Sequence, residues 1–107
     1  MDQNALCLLY VTTANKSEAL KIGRALVEER LIACANIFDD MCSIYRWQEK
    51  IEEDRECVLI CKTKASFVQT TTTRIKALHS YECPCVLSIA VEATNLAFKQ
   101  WLLGEVG

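Results

Sequence analysis

The residues able to do chemistry concentrate in one short stretch, "LHSYECPC", from Leu78 to Cys85. It holds the chain's only histidine (His79), its only proline (Pro84) and two of its seven cysteines, Cys83 and Cys85. His79, Tyr81 and Glu82 put an imidazole, a phenol and a carboxylate close together on a segment without helical spacing. Such a group can bind a cation or a polar ligand. Imidazole and thiolate together favour soft ions, so His79, Cys83 and Cys85 form a candidate metal site with copper, as Cu(I), the candidate ion. Two plainer readings compete. His79 closes a predicted helix, where a cation meets the negative end of the helix dipole. Free cysteine commonly packs as a small buried hydrophobe.

The remaining cysteines, Cys7, Cys34, Cys42, Cys57 and Cys61, sit mostly in apolar stretches. Their odd total cannot pair fully within one chain, which favours reduced structural thiols over a disulfide framework. Cys57 and Cys61 share a strand face but lie roughly 13 Å apart by the rise per residue, too far for one ion. No Cys-x-x-Cys pair or zinc-type spacing occurs. The acidic run from Glu49 to Glu56 lacks the regular spacing of a calcium loop and reads as a solvated hairpin region. Three glycines leave no room for a phosphate-cradling loop or nucleophile elbow. A lone histidine with no serine marked beside it leaves no triad, so an enzyme is not expected.

A net charge of −2 and the lack of RNA-stacking aromatic strands argue against nucleic-acid binding. The longest apolar run, Ala5 to Val11, is too short to span a bilayer. No signal-peptide pattern precedes it, and a cytoplasmic protein is expected, with a mature organellar form as the alternative.

These residues must be positioned by alternating elements in what is expected to be one domain, 1–107. Ala5 to Val11 is a continuous apolar strand. Asn15 with Glu18 three residues on resembles a capping box and opens a helix from about Lys16 to Arg30. Gly23 in that helix allows close packing on a sheet. Ile32 to Phe38 reads as a strand, Asp39-Asp40 as a polar break, and Cys42 to Trp47 as a returning strand, the two forming a hairpin. "QEKIEEDR" either ends that strand or forms an exposed connection, and Glu56 to Thr63 is another strand. Ser66-Phe-Val-Gln69 is a capping box for a second helix, although the threonines at 70–73 leave a strand as an alternative. Val86 to Glu92 is a further strand. Thr94 or Asn95 then caps a last helix that stops with Gly104 at C′. The order is β-α-β-β-α-β plus a terminal helix: an α+β, ferredoxin-like antiparallel sheet with helices on one face. Little chain is left to cover the other face, so self-association is expected, with Tyr10, Tyr45 and Trp47 as interface or core residues.

"EERLIACANI", "SIYRWQEKIEEDRECVLICKT" and "LHSYECP" together resemble the CutA family, the divalent-cation tolerance proteins. The resemblance runs over essentially the whole chain and is most specific in the middle block. It implies a ferredoxin-like homotrimer, similar in architecture to PII signalling proteins, with ligands bound in clefts between subunits. The expected function is non-enzymatic: response to divalent metal ions such as copper, or sensing of a small anionic or polar ligand. The alternative is a scaffold for a larger partner, a role linked in animal members to acetylcholinesterase localisation. Family motif positions fall on Cys34, Tyr45, Trp47, Lys50, Glu56, Lys62, His79, Tyr81 and Glu82. Lys62, Glu56, Tyr81 and Glu82 are implied as ligand contacts, with an interface ion pair as the competing role for the lysine. Bacterial members use a first-strand cysteine and adjacent histidines for copper, where this chain has Val11 and Leu78. A site on His79, Cys83 and Cys85 is therefore a separate candidate.

Overall fold

The computed structural model describes residues 2–107. The elements are β1 (Leu6–Thr13), α1 (Lys16–Glu28), β2 (Cys34–Trp47), β3 (Lys50–Lys64), α2 (Val68–Leu78), β4 (Val86–Ala90) and α3 (Leu96–Glu105). The four strands form one sheet in the order β2-β3-β1-β4, with every neighbouring pair antiparallel. This is the expected ferredoxin-like α+β arrangement with an added C-terminal helix.

Alternation along β1 and β3 places the core. Leu9 pairs with Cys61, Val11 with Leu59 and Thr13 with Cys57, so these side chains share one face. All are fully buried, packed with Ala19, Ile22 and Leu26 of α1 and Ile75 of α2. Gly23 lets α1 approach, since a Cβ there would meet the Ala35 Cβ at 3.2 Å and the Leu59 Cδ1 at 3.3 Å. Polar groups taken into this layer are satisfied: Thr13 Oγ1 donates to the Cys57 carbonyl (2.9 Å) and Thr63 Oγ1 to that of Leu31 (2.7 Å). Cys7, Cys57 and Cys61 are buried. Burial pushes the Cys61 thiol up to about 12, which keeps it protonated and apolar in behaviour. A second cluster, Leu6, Leu102 and Val106, seats α3 against the far end of the sheet.

Three expectations are corrected. The stretches 32–38 and 42–47 are not a hairpin but parts of one strand, β2, which continues through Asp39-Asp40 by a bulge. Asp40 takes a left-handed φ of 61°, a conformation that its short side chain tolerates better than most. The true hairpin turn is Gln48-Glu49, with φ of 49° and 68°. Two successive left-handed residues match the twist of a two-residue hairpin, which usually selects Asn and Gly there. The charged run after it is therefore strand, and β2 and β3 extend as a two-stranded arm beyond the span paired to β1.

The Ser66 capping box does not form. A 3₁₀ turn over Ala65–Phe67 leads into α2, and no side chain caps it. The Ser66 N–H goes to the Gln3 carbonyl instead (3.1 Å). Within the threonine run, Thr72 Oγ1 bonds back to the Val68 carbonyl (2.8 Å), which satisfies a hydroxyl inside the helix.

The helix ends also differ. Asn15 caps α1 as expected, its Oδ1 accepting from the Glu18 N–H at 2.8 Å. However, α1 stops at Glu28, and Arg30 adopts φ of 61° in a turn where the Leu31 N–H reaches the Leu26 carbonyl. That is the Schellman pattern, with arginine where glycine is usual. Arg30 then donates to the carbonyls of Gly104 (2.9 Å) and Gly107 (3.1 Å). Gly104 lies inside α3 rather than at C′.

The left-handed residue in the bulge makes a test. Replacing Asp40 with valine forces a β-branched side chain into that conformation and is expected to cost about 1–3 kcal/mol. Asp40→Asn and Asp40→Gly should lose far less, because the exposed Asp40–Arg55 pair (2.9 Å) contributes little. Thermal or urea unfolding of the three variants checks the order.

Candidate functional site

A cavity of about 510 Å³ opens where the β2–β3 arm leaves the helix-backed part of the sheet. It is lined by Thr12 of β1, Ser43, Tyr45 and Trp47 of β2, Asp54 and Glu56 of β3, and Tyr81, Glu82, Cys83 and Cys85 of the turn before β4. The bulge decides which side chains reach it. Before the bulge Phe38 pairs with Val58; after it Met41 pairs with Glu56, a two-residue step on β3 against three on β2. Odd-numbered β2 residues thus move onto the face away from the helices, joining Glu56 and Asp54.

Two phenols order the carboxylates. The Tyr81 hydroxyl donates to Glu56 Oε2 at 2.6 Å, and the Tyr45 hydroxyl donates to the Asp54 carboxylate. Burial and then the Glu56 bond push the Tyr81 phenol well above its usual range. Its bond to Asp54, chiefly, raises Tyr45 to about 12. Both phenols therefore stay protonated as donors. Tyr45 and Trp47 remain substantially exposed, at 40% and 46%.

The turn carrying Tyr81 is pinned from behind. His79 Nδ1 accepts the Tyr81 N–H at 3.0 Å, which places the ring proton on Nε2, and Nε2 lies 2.8 Å from the Thr12 carbonyl it donates to. Both ring nitrogens are thus committed. Glu18 holds the same turn to the start of α1: Oε2 accepts from the Ser80 N–H (2.8 Å) and Oε1 from the Ala14 N–H (2.9 Å). Partial burial would raise the Glu18 carboxyl, but the hydrogen bonds from Ser80 and Ala14 outweigh it and the net shift is downward.

The cleft brings together Tyr45, Trp47, Glu56, Tyr81, Glu82, Cys83 and Cys85. It does not bring the others. His79 stands behind the turn as a positioning residue. Lys50 ends the arm opposite Trp47 in the ladder and is not among the lining residues. Lys62 lies on β3 six residues from Glu56, roughly 20 Å along the strand, with its ammonium 5.5 Å from the Phe98 ring centroid. Cys34 pairs across from Lys62, away from the cavity. Among the described residues, no three His, Cys, Asp or Glu side chains are grouped so that they could hold a metal ion. Asp54, Ser43, Thr12 and Glu18 were not expected at the site. Asp54 precedes Glu56 by the strand period of two, a signal hidden when the charged run is taken for a connection.

A sequence model of the family described as CutA1 divalent ion tolerance protein matches residues 7–105. The divalent-cation tolerance protein CutA of Thermus thermophilus is 37% identical over 100 residues, covering 94% of this chain and 97% of that protein. Human protein CutA is 41% identical over 93 residues, covering 87% of this chain and 52% of that protein. The chain thus spans about half the length of the human protein. The crystal structure of CutA from Xylella fastidiosa superposes with a TM-score of 0.94 at 35% identity, covering 96% of this chain and 99% of that one.

Glu18 gives a pH-dependent test. Its folded carboxyl titrates below the ordinary 4.5, so its stabilisation is complete above that value and is lost as pH falls through the lower folded value. Glu18→Ala is expected to cost about 1 kcal/mol at neutral pH. The gap to wild type should close progressively below the ordinary carboxylate value, as measured by urea unfolding across the acid range.

Proposed function

The chain belongs to the CutA1 divalent ion tolerance family, and on that footing we propose that it is a non-enzymatic, cytoplasmic homotrimer that binds a cationic ligand in the Tyr45–Trp47–Glu56–Tyr81–Glu82 cleft as part of a metal-ion response. The observation that carries the ligand reading is the lining. Asp54, Glu56 and Glu82 face the cavity, and no lysine, arginine or histidine is among its described lining residues. Such a field favours a cation over the anionic ligand that the family resemblance also allowed.

Exposed apolar surface supports the trimer. Leu87 and Ile89 of β4 are 55% and 47% exposed, on the same sheet face as Leu8 and Tyr10. The arm beyond the main sheet also exposes Ile44 and Ile51. An unsupported two-stranded ribbon is marginal in water, so packing against a second copy gives the arm its missing partner. Light scattering should return about three times the 12.1 kDa chain mass. A stable monomer rejects the reading.

The metal role has a narrower form than the residue types implied. Within one protomer His79 cannot join Cys83 and Cys85, because both of its ring nitrogens are already bonded. A soft ion at the two thiols would draw any further donors from another copy. That second reading is favoured by one feature: Cys83 and Cys85 line the same cleft. Burial, with Glu56 and Cys83 adding to it, raises the Cys85 thiol above its usual range, so thiolate formation there depends on the metal itself. Anaerobic Cu(I) titration should show at least about tenfold weaker binding in a Cys83→Ser, Cys85→Ser variant. Equal affinity in both proteins rejects a thiolate site.

A further inference from the structure

We propose that the cleft is built for an organic ammonium ion, such as a quaternary or alkyl-substituted amine, rather than for a bare divalent metal. The inference rests on the reading of the cleft as the ligand site and names the chemistry of its occupant. A metal ion needs several donors converging on one point at bonding distance, and the described residues of one protomer contain no such group. The geometry shows why. Glu56 and Asp54 are each engaged by a different phenol, Tyr81 and Tyr45. Each carboxylate is tied to its own phenol instead of being left free to swing to a common centre.

The same cavity is aromatic as well as acidic. Tyr45, Trp47 and Tyr81 line the cavity alongside Asp54, Glu56 and Glu82. Because each tyrosine hydroxyl is committed as a donor to a carboxylate, the rings are left to interact with an occupant chiefly through their carbon surfaces. Electron-rich ring faces attract a diffuse, weakly hydrated positive charge, and surrounding carboxylates reinforce that attraction without needing to touch it. A compact, strongly hydrated metal ion gains least from such walls. An alkylated ammonium loses little hydration and buries its methyl groups against the rings. A cavity of about 510 Å³ falls within the range of small-molecule sites and has room for a substituted ammonium group with a short tail.

The probe is choline, compared with its uncharged isostere 3,3-dimethyl-1-butanol. Each is titrated into the full chain by calorimetry at constant ionic strength, with sodium chloride as the salt control. Choline should bind saturably with a Kd of about 1 mM or tighter, and the isostere at least about tenfold more weakly. Trp47→Ala should weaken choline binding about tenfold while Trp47→Phe keeps most of it, since phenylalanine retains a ring face. Glu56→Gln, which keeps the acceptor for Tyr81 but removes the charge, should weaken choline and leave the isostere unchanged. Circular dichroism confirms that each variant is folded. Failure of choline to bind, equal binding of the neutral isostere, or an unaffected Trp47→Ala variant overturns the inference. Light scattering and copper titration report separately on the trimer and on the thiols. A failure here therefore leaves those readings standing, and their failure leaves this one.

Discussion

One extra residue in β2 decides which side chains line the cavity. Without the bulge at Asp39-Asp40, the two-residue alternation of the strand would carry Ser43, Tyr45 and Trp47 onto the other side of the arm, away from Glu56 and Asp54. With it, the three side chains reach the same wall as the carboxylates of β3 and meet the turn that brings Tyr81 and Glu82. The bulge is held by a left-handed Asp40 whose N–H bonds the neighbouring Asp39 Oδ1 at 2.8 Å. A local backbone irregularity thus sets the chemistry of a cleft assembled from three strands and a turn.

The opposite wall is set by bonds that reach across the fold. Glu18, placed by the cap of α1, accepts from Ser80; His79, placed by the end of α2, bridges the Thr12 carbonyl and the Tyr81 N–H. The only histidine of the chain is therefore spent on holding a turn, and its value lies in having one donor and one acceptor nitrogen at once. The phenol–carboxylate pairs continue the same logic into the cavity, where each hydroxyl gives a carboxylate a fixed place. Such satisfied polar chains are rigid in a way that free side chains on an exposed arm are not.

Interior and exterior divide cleanly in this architecture. The helix-backed face is closed by apolar side chains, buried thiols and satisfied threonine hydroxyls. The other face and the arm leave large apolar groups uncovered, including Phe38, Ile44, Ile51 and Leu87. The β2 and β3 residues that line the cavity and the exposed Ile44 and Ile51 all lie on the part of β2 and β3 that outruns β1.

Much of this was legible in the residues alone. The continuous apolar run Ala5–Val11, the strand segment Glu56–Thr63, the Asn15–Glu18 cap and the short helix-forming segments are enough for the ferredoxin-like order, because each is a local preference written in local residues. The family blocks around Tyr45, Trp47, Glu56, Tyr81 and Glu82 marked most of the cleft for the same reason. Local pattern misled where an unusual residue carried an unusual conformation. Arg30, Asp40, Gln48 and Glu49 take left-handed backbone angles that sequence reasoning reserves for glycine and asparagine. Hence the bulge reads locally as a turn, and the turn as part of a charged connection. What only the tertiary structure decided was partnership at a distance: that Glu18 holds Ser80, that His79 spans Thr12 and Tyr81, and that Lys62 lies far from the carboxylates it resembles a partner for. Those pairings separate residues by up to 67 positions in the chain, and no spacing rule within one strand or helix reaches that far.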